Sequence, residues 1–226
     1  MINKLVKDTI YFSLFIQILT SSIALSGVFI NVDEKDKVLT EILILETFVQ
    51  FVEAFFYVWV IYALKDLNIM TPRRYIDWCI TTPIMLITTI IFMEYQYNLE
   101  SKNNKIITMK EFFYENKENI IKIILFNALM LFFGFLGESQ MINKPLAVTI
   151  GFYFFYMSFR IIYNEYASKT KIGVNLFKFL TICWSLYGVA ALADIKTKNI
   201  SYNLLDIVSK NFYGLYIYYY IITIAT

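Results

Sequence analysis

The strongest chemical signal in this sequence lies near its C-terminus. Asp206 and Lys210 stand four positions apart inside a long apolar run, so on a helix they share one face. A lone ammonium in that setting would lose its proton to escape desolvation. A second carboxylate, Asp77, interrupts another apolar run, and two carboxylates suit one buried cation. Two chemistries are open to such a lysine. It can be half of an ion pair that fixes helix packing, or an amine that condenses with an aldehyde.

The runs that carry these residues define the class of the chain. Of 226 residues, 58% are hydrophobic and 17% charged, against about 45–50% and about 25% in soluble domains. Seven apolar stretches, near 9–30, 39–63, 73–97, 120–138, 146–166, 175–194 and 201–224, are separated by polar segments. Each approaches the roughly 20 residues that cross a bilayer core, and all are too long for barrel strands. The expectation is an all-α bundle of seven transmembrane helices, one domain over 1–226, with the lipid bilayer as its first partner. The first run lacks a small-residue cleavage site and is read as a span, not a signal peptide.

Composition excludes other classes. The absence of His removes imidazole metal sites and His bases, and a net charge of +2 gives no nucleic-acid footprint. Cys79 and Cys183 both fall in apolar runs and are expected to be buried thiols. Placing the N-terminus outside and the C-terminus inside puts eleven basic residues on the inner side (Lys35, Lys37, Lys102, Lys105, Lys110, Lys117, Lys122, Arg160, Lys169, Lys171, Lys178). Seven fall outside (Lys4, Lys7, Lys65, Arg73, Lys144, Lys196, Lys198). That bias favours this orientation. The polar segment 98–119 reads as a solvated inner loop with a short amphipathic piece from Ile106 to Tyr114.

Charges at membrane depth cost about 2.5–3.5 kcal/mol each on insertion scales, so mid-span polar residues are functional candidates. The second span has Glu46, Gln50 and Glu53 on one face; the first has Ser13 and Gln17. In the third, Arg74, Asp77 and Thr81 form one stripe, with Trp78, Thr82 and Met85 beside it. The fourth brings Asn127, Met130 and Gly134, and the sixth Trp184 and Tyr187. Aromatic walls around one reactive lysine describe a slot for a flat, apolar aldehyde. Each aromatic alone is equally compatible with ordinary bundle packing.

RYIDWCITTP in the third span, MLFFGFLGE in the fourth, WSLY in the sixth and LLDIVSKNFYGL in the seventh resemble the microbial (type 1) rhodopsins, in the same order and over essentially the whole chain. The resemblance implies a photoreceptor, not an enzyme, with all-trans-retinal bound to Lys210 as a protonated Schiff base. It makes Asp77 the primary counterion and Asp206 the second, with Tyr57 and Tyr187 as partners of Asp206. Arg74 would close the outer side. The pocket would comprise Trp78, Thr81, Thr82, Met85, Met130, Gly134, Trp184 and Tyr187. Thr82 and Asn127 occupy positions joined in related proteins by a hydrogen-bonded latch.

Departures from the pattern narrow the reading. Outward proton pumps of this family carry a donor carboxylate eleven residues after the counterion; here that residue is Thr88. A proton-release glutamate found in some of them is Lys198. A third pocket aromatic is Ala191, and the sixth-span proline is Gly188. Asp77 argues against a chloride pump, and Asp77 with Thr81 against a sodium pump. The polar set Ser13, Gln17, Glu46, Gln50, Glu53, Asn203 and Asn211 is similar to that of the group 1 viral rhodopsins, which are light-gated cation channels. This implies monovalent cations and protons as cargo. It also implies a virus of an alga or protist, hence a host-cell membrane, and leaves an oligomer open. Two alternatives stand beside the channel: a weak outward proton pump reloaded by water or Glu46, and a sensory rhodopsin. In either, Glu46 and Glu53 would be protonated packing residues.

Overall fold

The computed structural model describes residues 4–62, 67–101 and 105–225. Lys65 and Lys102, and the end of the second span at 63, lie outside these. Nine α-helices run through the described residues, which contain no strand: α1 Lys4–Gly27, α2 Lys37–Tyr62, α3 Leu67–Glu100, α4 Met109–Glu115, α5 Lys117–Glu138, α6 Lys144–Glu165, α7 Lys171–Ala191, α8 Ile195–Asp206 and α9 Phe212–Ala225. Six of them, all but α4, α8 and α9, are long and apolar enough to cross a membrane. The seventh expected span is α8 and α9 in succession, joined by a π-helical turn over Ile207–Asn211. Lys210 sits inside that turn. The wider turn inserts a residue and rotates α9 relative to Asp206.

Local sequence explains where the helices start. Thr108 caps α4, Asn143 caps α6 and Thr170 caps α7, each accepting from a backbone N–H in the first turn. Asp194 caps α8 by accepting from the N–H groups of Lys196 and Thr197. These caps satisfy donors that a helix leaves free at its start. The short α4 lies where an amphipathic piece is expected, and its Phe112 is buried.

The helices close around α3. Leu39, Ile42 and Leu43 of α2 pack with Leu86, Ile90 and Phe92 of α3 and with Ile217 and Ile221 of α9. Outward faces carry large apolar residues, among them Phe15, Phe55, Phe132 and Tyr153, as a lipid-facing surface requires. Cys79 corrects one expectation. It is exposed on the outward face of α3, and only Cys183 is buried.

Candidate functional site

Asp206 ends α8, and Lys210 stands one wide turn later. The Lys210 Nζ donates to Asp77 Oδ2 at 2.7 Å and lies 3.6 Å from Asp206 Oδ1. A third carboxylate joins them: Glu53 Oε1 of α2 stands 3.1 Å from Nζ, within ion-pair range but without hydrogen-bond alignment. The sequence predicts two carboxylates as partners of this amine and places Glu53 in the ion path, as the helix-two glutamate nearer to it. The structure brings three, all fully buried or nearly so.

Asp206 is held on every side. Arg74 Nη1 donates to its Oδ2 at 2.9 Å, Tyr57 donates to the same oxygen at 2.8 Å, and Tyr187 donates to Oδ1 at 2.8 Å. Arg74 also donates to the Asn203 side chain and stacks near the rings of Phe56, Tyr57 and Tyr202. Desolvated charges persist when each has a partner of opposite sign and further hydrogen bonds, and Arg74 and Asp206 meet that condition. Asp77 differs. Its Oδ1 has no partner, so its side chain answers to Lys210 alone.

On one side of this cluster Ser13 donates to the backbone carbonyl of Asn203, and the Asn203 amide donates to Thr9 at 2.9 Å. Asn203 therefore belongs with Arg74, not with Asn211 as the helical spacing suggests; the π turn separates them. Toward the start of α2, Thr88 donates to Glu46 Oε1. Between Glu46 and Glu53 in sequence stands Gln50, against which α9 closes at Gly214, where a β-carbon would collide with the Gln50 amide. Gln17, Gln50 and Asn211 are fully buried, and none of their side-chain polar atoms has a hydrogen-bond partner. Gln50 thus does not bridge the two glutamates.

One cavity is lined by Lys210, Trp78, Thr82, Met85, Met130, Gly134, Trp184 and Tyr187, every expected pocket residue but Thr81. Thr81 instead donates to the backbone carbonyl of Asp77 at 3.0 Å. The latch pair is joined, with Asn127 Nδ2 donating to Thr82 Oγ1 at 2.8 Å. The sequence reading missed Tyr75, Tyr202, Ser209, Leu131 and the α6 wall of Ala147, Val148, Gly151, Phe152 and Phe155. Two of these left a signal: Tyr75 precedes Trp78 by three, and Tyr202 precedes Asp206 by four. Lys198, expected as an outer-loop charge, is instead buried and paired with Glu138, which Lys144 approaches at 3.4 Å.

A buried amine at one end of an aromatic-walled cavity, ringed by carboxylates, fits an aldehyde held as a charged imine. Residues 8–224 match the family model of bacteriorhodopsin-like proteins. The chain belongs to that family, whose members are integral membrane proteins that bind retinal through a lysine. Among solved structures it is similar to the viral rhodopsin OLPVRII, at 28% identity and a TM-score of 0.85, covering 99% of this chain and 100% of that one. It also shares its fold with the rhodopsin of Exiguobacterium sibiricum (17% identity, TM-score 0.78, all of both chains). A third match is the bromide-bound halorhodopsin of Halobacterium salinarum (11%, 0.75, 99% and 98%). Comparison with curated proteins gives no match.

Proposed function

We propose that this protein is a light-gated cation channel, with retinal on Lys210 and the N-terminus outside. The observation that carries the reading is the set of buried, unpartnered amides of Gln17, Gln50 and Asn211, with Glu46 and Glu53 on the Gln50 face of α2. A buried polar group without a partner costs about 1–3 kcal/mol. Such amides can hydrogen-bond water along a passage, and the two carboxylates of α2 would favour cations in it. Bound retinal supplies light absorption and a change of shape. The rest falls to the chain. Asp77 Oδ2 takes the proton from the Lys210 nitrogen. That transfer removes the charge that holds Glu53, Asp77 and Asp206 together, and α2 and α9 are freed to part at Gln50 and Gly214. Glu46 and Glu53 then favour cations over anions. The 28% identity to a viral rhodopsin supports a virus as the source and a host-cell membrane as the location.

One observation favours a second reading. Thr88 occupies the donor position of outward pumps, and its hydroxyl reaches Glu46, so a carboxyl is present there from α2. Proteoliposomes separate the two. A channel dissipates an imposed sodium gradient in either direction under light, whereas a pump leaves sodium in place and builds a proton gradient from none.

A further inference from the structure

We propose that the groove between α3 and α5 holds one anionic phospholipid, with an acyl chain along the groove and the phosphate at Arg73. This goes beyond the channel reading and needs only that the chain lies in a bilayer.

The groove has a volume of about 1190 Å³ and is lined by α3 from Pro72 to Ile80 and by α5 from Leu125 to Glu138, ending at Ser139 and Gln140. At 1.5 Å per residue its α5 side runs about 20 Å, more than one leaflet of a bilayer core of about 30 Å. Most of that length is apolar: Ile76, Ile80, Leu125 and Phe132 are exposed along it, and the exposed Cys79 lies among them. Arg73, Glu138, Ser139 and Gln140 gather at one end.

That end is positive. Glu138 is the one acid lining the groove, and it is already matched twice, by Lys198 and by Lys144 at 3.4 Å. Arg73 adds a third cation. Its guanidinium lies 4.7 Å from the centre of the Trp59 ring, a contact with the ring face that leaves N–H donors free. Among the described residues Arg73 has no carboxylate partner, and the Ser139 and Gln140 side chains make no hydrogen bond.

A phosphodiester is an anion that a bilayer presents already joined to an apolar chain, and the arginine fork matches its oxygens. A choline headgroup brings its own cation to the same place and loses the advantage. A second copy docked about a two-fold axis would set these cations against themselves. Tyr75 and Leu131 line both this groove and the Lys210 cavity, so the lipid chain lies against the outside of that cavity's wall.

The test reconstitutes the full chain in vesicles of equal phosphatidylglycerol and phosphatidylcholine, extracts it in mild detergent and weighs the intact protein with its retained lipid. The expected result is one lipid per chain, enriched about tenfold in phosphatidylglycerol, the discrimination of one charge-assisted hydrogen bond. Arg73→Gln should return the retained lipid to the supplied ratio. Cys79→Trp, which fills the groove from an exposed position, should abolish retention, with the circular dichroism of both variants unchanged. Retention in the supplied ratio by the unmutated protein, enrichment that survives Arg73→Gln, or lipid that survives Cys79→Trp overturns the proposal. A lipid-free oligomer that Cys79→Trp breaks apart overturns it as well and assigns the groove to a second copy.

Discussion

Replacing Asp77 by Asn removes one charge and almost no volume. The charge lies 2.7 Å from the Lys210 nitrogen, where a unit pair interacts by about 6 kcal/mol at an effective dielectric of 20. Glu53 at 3.1 Å and Asp206 at 3.6 Å remain and compensate part of it. A net loss of about 3 kcal/mol is expected, equivalent to about two pH units in the proton affinity of that nitrogen. In the retinal-loaded protein the assay is a pH titration of the visible band. Asp77→Asn should move the band to longer wavelength near neutrality and lose it to a deprotonated form at a pH about two units below wild type. Asp206→Asn should differ in kind, because it also strands Arg74, Tyr57 and Tyr187, and breaking such a buried network costs about 3–5 kcal/mol of stability. An Asp77→Asn protein with an unchanged band and unchanged titration would refute the reasoning and leave Glu53 or Asp206 as the working counterion.

Lys210→Ala should abolish the visible band formed with retinal, measured by absorption after addition of the aldehyde. Glu53→Gln should shift that band, because Glu53 faces the Lys210 nitrogen at 3.1 Å; a spectrum identical to wild type would place Glu53 outside the charge cluster. Asn127→Ala removes the 2.8 Å bond to Thr82, worth about 0.6 kcal/mol for a typical interhelical bond in a membrane. Decay of the light-induced state should change about threefold with little loss of stability, read by flash absorption. Hydrogen bonds to the start of α8 hold the Asp194 carboxyl below its ordinary range. A depressed carboxyl stabilises the fold above its unfolded pKa and loses that contribution as pH falls through the folded one. Amide protection at Lys196 and Thr197 should therefore persist at pH 5 and fade only below the usual aspartate range, as read by hydrogen exchange.

The residues easiest to read from the sequence are those whose charge is anomalous at membrane depth. Lys210, Asp206, Asp77 and Arg74 stand out because an apolar run makes each costly, and the structure brings all four together. Tyr57 and Tyr187 come from the family resemblance alone, and both donate to Asp206. The direction of α2 puts Glu53, rather than Glu46, at the depth of the Lys210 nitrogen, but its pairing with that nitrogen at 3.1 Å is not legible. Its seven-residue spacing from Glu46 fixes a face of α2, but not how α2 is rotated against the Lys210 turn. Asn203 and Asn211 are misgrouped for a related reason. Helical spacing carries one residue to the next at a constant angle, and the π turn at Ile207–Asn211 breaks that count without a glycine or proline to mark it. Lys198 is buried by Glu138, sixty positions away, a pairing no local pattern announces. The small-residue wall on α6 escapes notice because Ala147, Val148 and Gly151 resemble ordinary interhelical contacts.

The central claim is that light opens a passage lined by Glu46, Gln50 and Glu53, and voltage-clamp photocurrent in a cell membrane tests it most directly. Under asymmetric sodium and proton gradients, the wild-type current should change sign at a voltage that tracks the cation gradients. Glu46→Gln should shift that voltage or reduce the current while keeping the visible band. A photocurrent that keeps one sign at every voltage, or a Glu46→Gln current identical to wild type in size and reversal, would contradict the channel and leave the proton pump in its place.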